Sequence, residues 1–208
     1  MAFIHGKNVQ VVVNQYEVDG FREATMPSSC ETVDTTAFNP TSDYRTRIAG
    51  LSDHSLTLDG IMDSTATSGN RALLDGQIAA GNTQILVGQN GLDNGSLAYC
   101  ISGIEGTVEQ SASFTDVIAI SGAFEGDRSM GDGFGYCLGD LSSEITADAN
   151  TTGVNMGISA GGIAAFLTVT GVSASGSDSL VVKVQQSSDD GSGDAYADII
   201  TFSTVTST

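Results

Sequence analysis

Gly157-Ile158-Ser159-Ala160-Gly161 matches the G-x-S-x-G pattern, in which a serine on a strand-to-helix turn acts as a nucleophile. That chemistry requires a helix after the serine and a histidine base placed later in the chain. Here the two histidines, His5 and His54, both come earlier, and the residues after Gly162 alternate like a strand. The motif reads as a glycine-rich turn. Gly131-Asp132-Gly133-Phe134-Gly135 has the glycines of a phosphate loop but lacks the closing Gly-Lys-Ser/Thr and a following helix. Asp189-Asp190-Gly191-Ser192-Gly193-Asp194 offers oxygen ligands of the kind Ca²⁺ takes, yet it lacks the spaced carboxylates and terminal Glu of an EF-hand loop. A hairpin tip explains it better. The histidines have no paired spacing for a transition metal. Cys30, Cys100 and Cys137 are odd in number and widely spaced, so reduced thiols are expected and neither a disulfide framework nor a zinc site is. Asn94-Gly95-Ser96 and Asn150-Thr151-Thr152 fit the glycosylation pattern by chance. No enzyme, metal site or cofactor is expected.

The elements that would carry these residues are mostly strands. Val9, Val11 and Val13 alternate with Gln10, Val12 and Asn14. In residues 54–60, Leu56 and Leu58 share one face and Ser55, Thr57 and Asp59 the other, closed by Asp-Gly. Thr83–Val87, Leu97–Ser102, Phe114–Ala123, Gly133–Leu138, Ile163–Thr170, Ser179–Gln186 and Asp198–Val205 continue the series. Gly/Ser/Asp clusters separate them, as at Ser173–Asp178 and Ser187–Asp194. Residues 70–80 predict one short helix, with Asn70 as N-cap and Leu74 and Ile78 as an apolar pair. Residues 19–47 hold few apolar side chains and both prolines. They read as an extended arm or long loop that orders against a partner through Phe21, Met26, Phe38 and Tyr44. The fold class is therefore mainly β: an antiparallel sandwich or partial barrel with one flanking helix and a long N-proximal arm. The 208 residues suit a single domain, with a weak compositional break near 147–155.

Charge narrows the function further. The chain carries 25 acidic against 7 basic residues, a net charge of −18. Five of the basic residues lie in the first 71 positions, so the remainder is more acidic still. Binding nucleic acid by phosphate neutralisation needs clustered Lys and Arg and is excluded as the activity. Trp is absent and aromatics make up 6%, which disfavours sugar stacking. The start, MAFIHGKNVQ, has neither the apolar core nor the cleavage site of a signal peptide, and no apolar run is long enough to span a bilayer, so folding in the cytoplasm and no membrane partner are expected.

Four segments taken in order resemble the major tail tube proteins of long-tailed, siphovirus-type bacteriophages. The opening MAFIHGKN is similar to their short hydrophobic-then-basic start. Thr32-Val33-Asp34-Thr35-Thr36-Ala37-Phe38 resembles their inter-subunit arm, and Arg47–Asp53 running into Ser55–Gly60 resembles the strand entry that follows it. Val181–Asp189 with Ile199–Phe202 resembles their C-terminal hairpin. Those proteins often continue with a further strand where this chain reads Thr206-Ser207-Thr208, which leaves the last sheet either closed within one subunit or completed by a neighbour. The resemblance implies a structural virion protein of the phage tail, assembled in the host cytoplasm. Its copies would form stacked rings, usually hexameric, whose strands join one inter-subunit β-barrel. Partners would be further copies, the tape-measure protein and the tail terminator and baseplate proteins, with genomic DNA passing unbound. It further implies arm residues Val33, Asp34, Thr35, Thr36 and Phe38. An acidic bore would let DNA slide, and Asp53, Asp59 and Asp63 are the expected lumen-facing acids. The alternative is a β-sandwich module that binds carbohydrate or Ca²⁺.

Overall fold

A computed structural model describes residues 6–35, 45–65, 69–70, 83–127, 133–139, 150–155, 163–171 and 179–206. After a 3-10 turn at Gly6–Asn8 come β1 (Gln10–Val13), β2 (Tyr16–Glu17), β3 (Phe21–Thr25), β4 (Ser28–Asp34), β5 (Arg47–Ile61) and β6 (Thr83–Gly88). Then follow β7 (Leu97–Ser111), β8 (Ala119–Gly126), β9 (Gly133–Tyr136), β10 (Ser179–Leu180), β11 (Lys183–Gln186), β12 (Ala197–Thr201) and β13 (Val205–Thr206). The fold is mainly β, as the alternating runs imply. One large sheet has the order β2-β1-β6-β7-β8-β5-β3, with β4 also on β5 and β9 on β7, and two small sheets pair β10 with β13 and β11 with β12. The chain divides into two compact units, Met1–Glu17 with Leu86–Cys100 and Phe134–Thr208, and Val18–Ile85 with Ile101–Gly133.

In the second unit β5 is the organising strand. It pairs antiparallel with β3, β4 and β8, and β8 pairs with the C-terminal part of β7. Strand alternation puts Leu56 and Leu58 of β5 beside Phe124, Gly122 and Ile120 of β8, and Leu56, Leu58, Ile120 and Phe124 are fully buried. Two glycines let β3 enter beside β5. Phe21 pairs with Gly60, where a Cβ would strike the Gly20 carbonyl, and Gly20 itself holds φ +89°. Asn70 is buried and clamps the end of β5. Its Nδ2 donates to the Ile61 carbonyl at 2.8 Å and its Oδ1 accepts from the Asp63 amide at 2.8 Å. The expected N-cap side chain is thus committed to the strand before it; the rest of the expected helix, 71–80, lies outside the described residues.

In the first unit β1 and β2 form a hairpin about Asn14, which adopts φ 55°. Val12, Leu92 and Ala98 make a small buried cluster with Leu86 and Cys137 against it. Tyr99 is buried and meets the Phe134 ring edge-on at 4.9 Å.

Three expectations change. Residues 19–47 are not one unpaired arm: β3 and β4 within them are hydrogen-bonded to β5 of the same chain. Phe114–Ile118 is a turn and β8 begins at Ala119, because Asp116 closes the turn on itself, accepting from the Val117 amide at 2.8 Å. Residues 163–171 alternate but form no strand, and no described segment pairs with them.

Candidate functional site

None of the sequence motifs for chemistry becomes a reaction centre in the described residues. Gly157–Gly161 lies outside the described residues. Gly133–Gly135 opens β9 and not a helix. In the Asp189–Asp194 loop the carboxylates serve the loop itself. Asp189 accepts from the Gly193 amide at 2.6 Å and the Asp194 amide at 3.0 Å, Asp194 accepts from the Ser188 amide and hydroxyl, and Tyr196 donates to Asp190. These backbone bonds hold the Asp189 carboxyl below its ordinary value. No group of three His, Cys, Asp or Glu among the described residues is arranged to hold a metal ion. All three cysteines are free thiols, with Cys30 exposed and Cys100 buried. No helix among the described residues is long and apolar enough to cross a membrane.

What stands out is surface. The first half of β5 and the whole of β4 form a two-stranded ribbon exposed along its length. Val33 pairs with Ile48, and the two are 54% and 58% exposed; Leu51 is 79% exposed. A bulge in β5 sets Gly50 and Leu51 against Glu31 alone, since Cys30 pairs with Ser52 and Thr32 with Ala49, so the Leu56 and Leu58 face does not run on to Ile48; through Val33 and the alternation of β4, Ile48 falls on the side of Ser29 and Asp53. Asp34 pairs with Arg47, and the Thr35 amide donates to the Thr46 carbonyl at 2.9 Å. Val33, Asp34 and Thr35 therefore sit together near the ribbon's end, while Thr36 and Phe38 lie outside the described residues. A two-stranded ribbon with no covering layer is marginal in water, and exposed apolar pairs on it mark a surface to be buried.

The second surface is the opposite, polar face of β3, β5, β8 and β7. Asp53 and Asp59 share it by parity. Cross-strand register adds three acids that linear reading missed: Glu23 opposite Asp59, Glu125 opposite Ser55, and Glu109 opposite Ser121. Glu23, Asp59, Ser121 and Glu109 thus form one row across four strands, with Thr25, Thr57, Ala123 and Thr107 as the next. Among the described residues no Lys or Arg occupies a paired position in these rows. A bulge at Gly106 makes this arrangement, because Glu105 pairs with Phe124 and Thr107 with Ala123, leaving Gly106 unmatched. Without that extra residue Glu109 would point to the core face. Asp63 does not join the row. It lies past the end of β5, where its carboxylate accepts from the Thr65 hydroxyl at 2.6 Å and amide at 2.9 Å, bonds that lower its pKa.

Glu105 is the one acid of β7 turned to the core side. Both its carboxylate oxygens are shielded from solvent, and no described group donates to either. Burial pushes its pKa up to about 7.

No family model matches the sequence, and no curated protein matches it. Solved structures share its fold. A chain from the tail of an empty gene transfer agent particle, refined helically with C6 symmetry, superposes with a TM-score of 0.53 at 13% identity, over 64% of this chain and 97% of that one. A chain from the virion of the native gene transfer agent gives 0.51 at 14% identity, over 64% and 97%. The SPP1 tail tube matches over 64% of this chain and 79% of that chain, with a TM-score of 0.48 and 13% identity.

Proposed function

We propose that this chain is a structural subunit of a virion tail tube, one that assembles with its own copies into stacked rings. The exposed ribbon of β4 and the first half of β5 carries this reading, because its apolar residues are exposed and have no cover among the described residues. The fold shared with a gene transfer agent tail chain supports it, and the C6 symmetry of that tail suggests six copies per ring.

Open strand edges favour a closed ring. The β6 strand has six residues and meets the start of β7, where the Gln89 amide donates to the Leu97 carbonyl. The six residues of β6 run from there along the first part of β7, which β9 also joins; beyond them, toward Ser111, β7 has β8 on one side and no described strand on the other. At the far end of the sheet, among the described strands, β3 pairs only with β5. Joining the β7 edge of one copy to the β3 edge of the next removes both edges and closes head to tail into a ring. The acidic face of Glu23, Asp53, Asp59, Glu109 and Glu125 then lines the bore, where carboxylates repel phosphate and let DNA pass without binding. The tape-measure protein and the tail terminator and baseplate proteins are the remaining partners of this reading. It assigns no catalytic step and no cofactor.

Negative-stain imaging of the purified chain at rising concentration tests the proposal. Rings or tubes with a central bore are expected. A monomer that stays monodisperse at every concentration rejects it.

A further inference from the structure

We infer that the acceptor for the exposed ribbon is the turn between β7 and β8 of a second copy, in the next ring. This rests on the tube reading and names the contact that would stack its rings. The turn carries the other prominent apolar cluster of the second unit: Phe114 is fully exposed, and Val117 and Ile118 are exposed beside it. The cluster is built to stay outside. The Asp116 amide donates to the Ser113 carbonyl, the Asp116 carboxylate accepts from the Val117 amide, and the Ile118 carbonyl accepts from the Met62 amide at 2.9 Å. The turn is therefore fixed to the end of β5, with Phe114 presented to solvent.

The two clusters lie at opposite ends of one strand. Ile48, paired with Val33, is near the start of β5, and Ile61, paired with Ala119, is its last residue. At about 3.3 Å per residue the separation is about 43 Å. Two different apolar patches at opposite ends of one body meet head to tail, and such a contact propagates as a filament instead of closing as a dimer. Charge points the same way. In a chain of net charge −18, Arg45 and Arg47 fall at the ribbon end, with Asp34 opposite Arg47. Beside the turn is an open depression of about 330 Å³ whose lining includes Glu23, Asp59, Asp116 and Val117, with Arg22 the cation among them. An apolar ribbon carrying arginines fits an apolar turn beside carboxylates. Strands tilted by up to about 45° in a barrel give an axial repeat of about 30–43 Å for this contact.

Cross-linking tests it. In a Cys30→Ser background, chains carrying Ile48→Cys are mixed with chains carrying Phe114→Cys, polymerised and oxidised. Disulfides joining 48 of one chain to 114 of the other are expected in most of the pelleted material. Polymers that form with no such link, or with links only between like positions, overturn the proposal and leave the tube reading standing. Unsubstituted chains that never polymerise overturn the tube reading itself. A double-mutant cycle gives an independent readout. Ile48→Ser and Phe114→Ser each raise the critical concentration about tenfold, and if the two side chains touch, the double variant raises it by much less than about a hundredfold. Full additivity refutes the contact, and unchanged circular dichroism of the monomers shows that they still fold.

Discussion

Glu105 offers a sharp test of the strand register in the second unit. Its carboxylate stands opposite Phe124 with both oxygens shielded and undonated, and burial raises its pKa from 4.5 to about 7. Because the folded-state value lies above the unfolded one, the protonated carboxyl favours folding. That contribution is fully present below about pH 4.5 and is lost as the pH rises through about 7. An unscreened shift of this size corresponds to about 3 kcal/mol; the side chain is only about half enclosed, so solvent screening reduces it to about 1–2 kcal/mol. Glu105→Gln keeps the shape and removes the titration. Urea unfolding of both proteins, at a concentration too low for assembly, should show them nearly alike in pH dependence of stability except between pH 4.5 and 8, where the variant gains about 1–2 kcal/mol relative to the parent. The other carboxylates titrate equally in both proteins, so the difference curve isolates this one. Parallel stability curves from pH 4.5 to 8 refute the placement of Glu105 on the core side.

Other perturbations probe the remaining elements. Asn70→Ala strips the partners from the Ile61 carbonyl and Asp63 amide at a buried position and should cost about 2–3 kcal/mol in thermal or urea unfolding. Deleting Gly106 turns residues 107–111 over, driving Glu109 toward the core, and should destabilise the monomer by about 3 kcal/mol or more, whereas Gly106→Ala should be mild, since a Cβ there meets only the Ala123 carbonyl at 3.8 Å. Particles whose tubes carry Asp53→Lys and Asp59→Lys should eject DNA more slowly at low salt and recover as salt is raised, with monomer stability within about 0.5 kcal/mol of the parent; ejection that is unchanged at low salt removes both residues from the bore.

The sequence made some of this legible and hid the rest for physical reasons. Leu56 and Leu58 announce β5 because one face of that stretch is buried, and Thr83–Val87 announces β6 in the same way. Ribbon residues Ser28–Asp34 and Arg47–Asp53 carry no such signal, since both of their faces are exposed in the single chain. Residues 19–47 consequently read as a loop although most of their described part is strand. The second half of β7 was missed because Gly103, Glu105 and Gly106 interrupt its alternation, and the bulge then resets its phase. Asp53 and Asp59 were named as acids flanking an alternating strand, but that Glu23, Glu109 and Glu125 share their face is visible only from cross-strand register, which a linear sequence does not contain. Asp63 was grouped with them by proximity in sequence, whereas two bonds to Thr65 hold it in a turn.

The acidic face makes a last demand on assembly. Glu23 and Asp59 stand directly opposite each other, and Asp59 and Glu109 are separated only by Ser121. Like charges directly opposite in a sheet destabilise it, and closing a ring would bring the β3 and β7 edges of adjacent copies together, adding Glu109 of one copy near Glu23 of the next. Neighbouring strands are about 4.8 Å apart, so carboxylates two strands apart lie at about 10 Å, close to the Debye length of about 8 Å at physiological ionic strength. Salt therefore screens the longer repulsions and leaves apolar burial of Val33, Ile48 and Phe114 intact. Raising salt from about 0.02 to 0.5 M should lower the critical concentration for assembly. Contacts governed by Arg45 and Arg47 with carboxylates would respond in the reverse sense, so polymers that dissolve as salt rises would show that ion pairs, and not apolar burial against a repulsive acidic wall, hold the copies together.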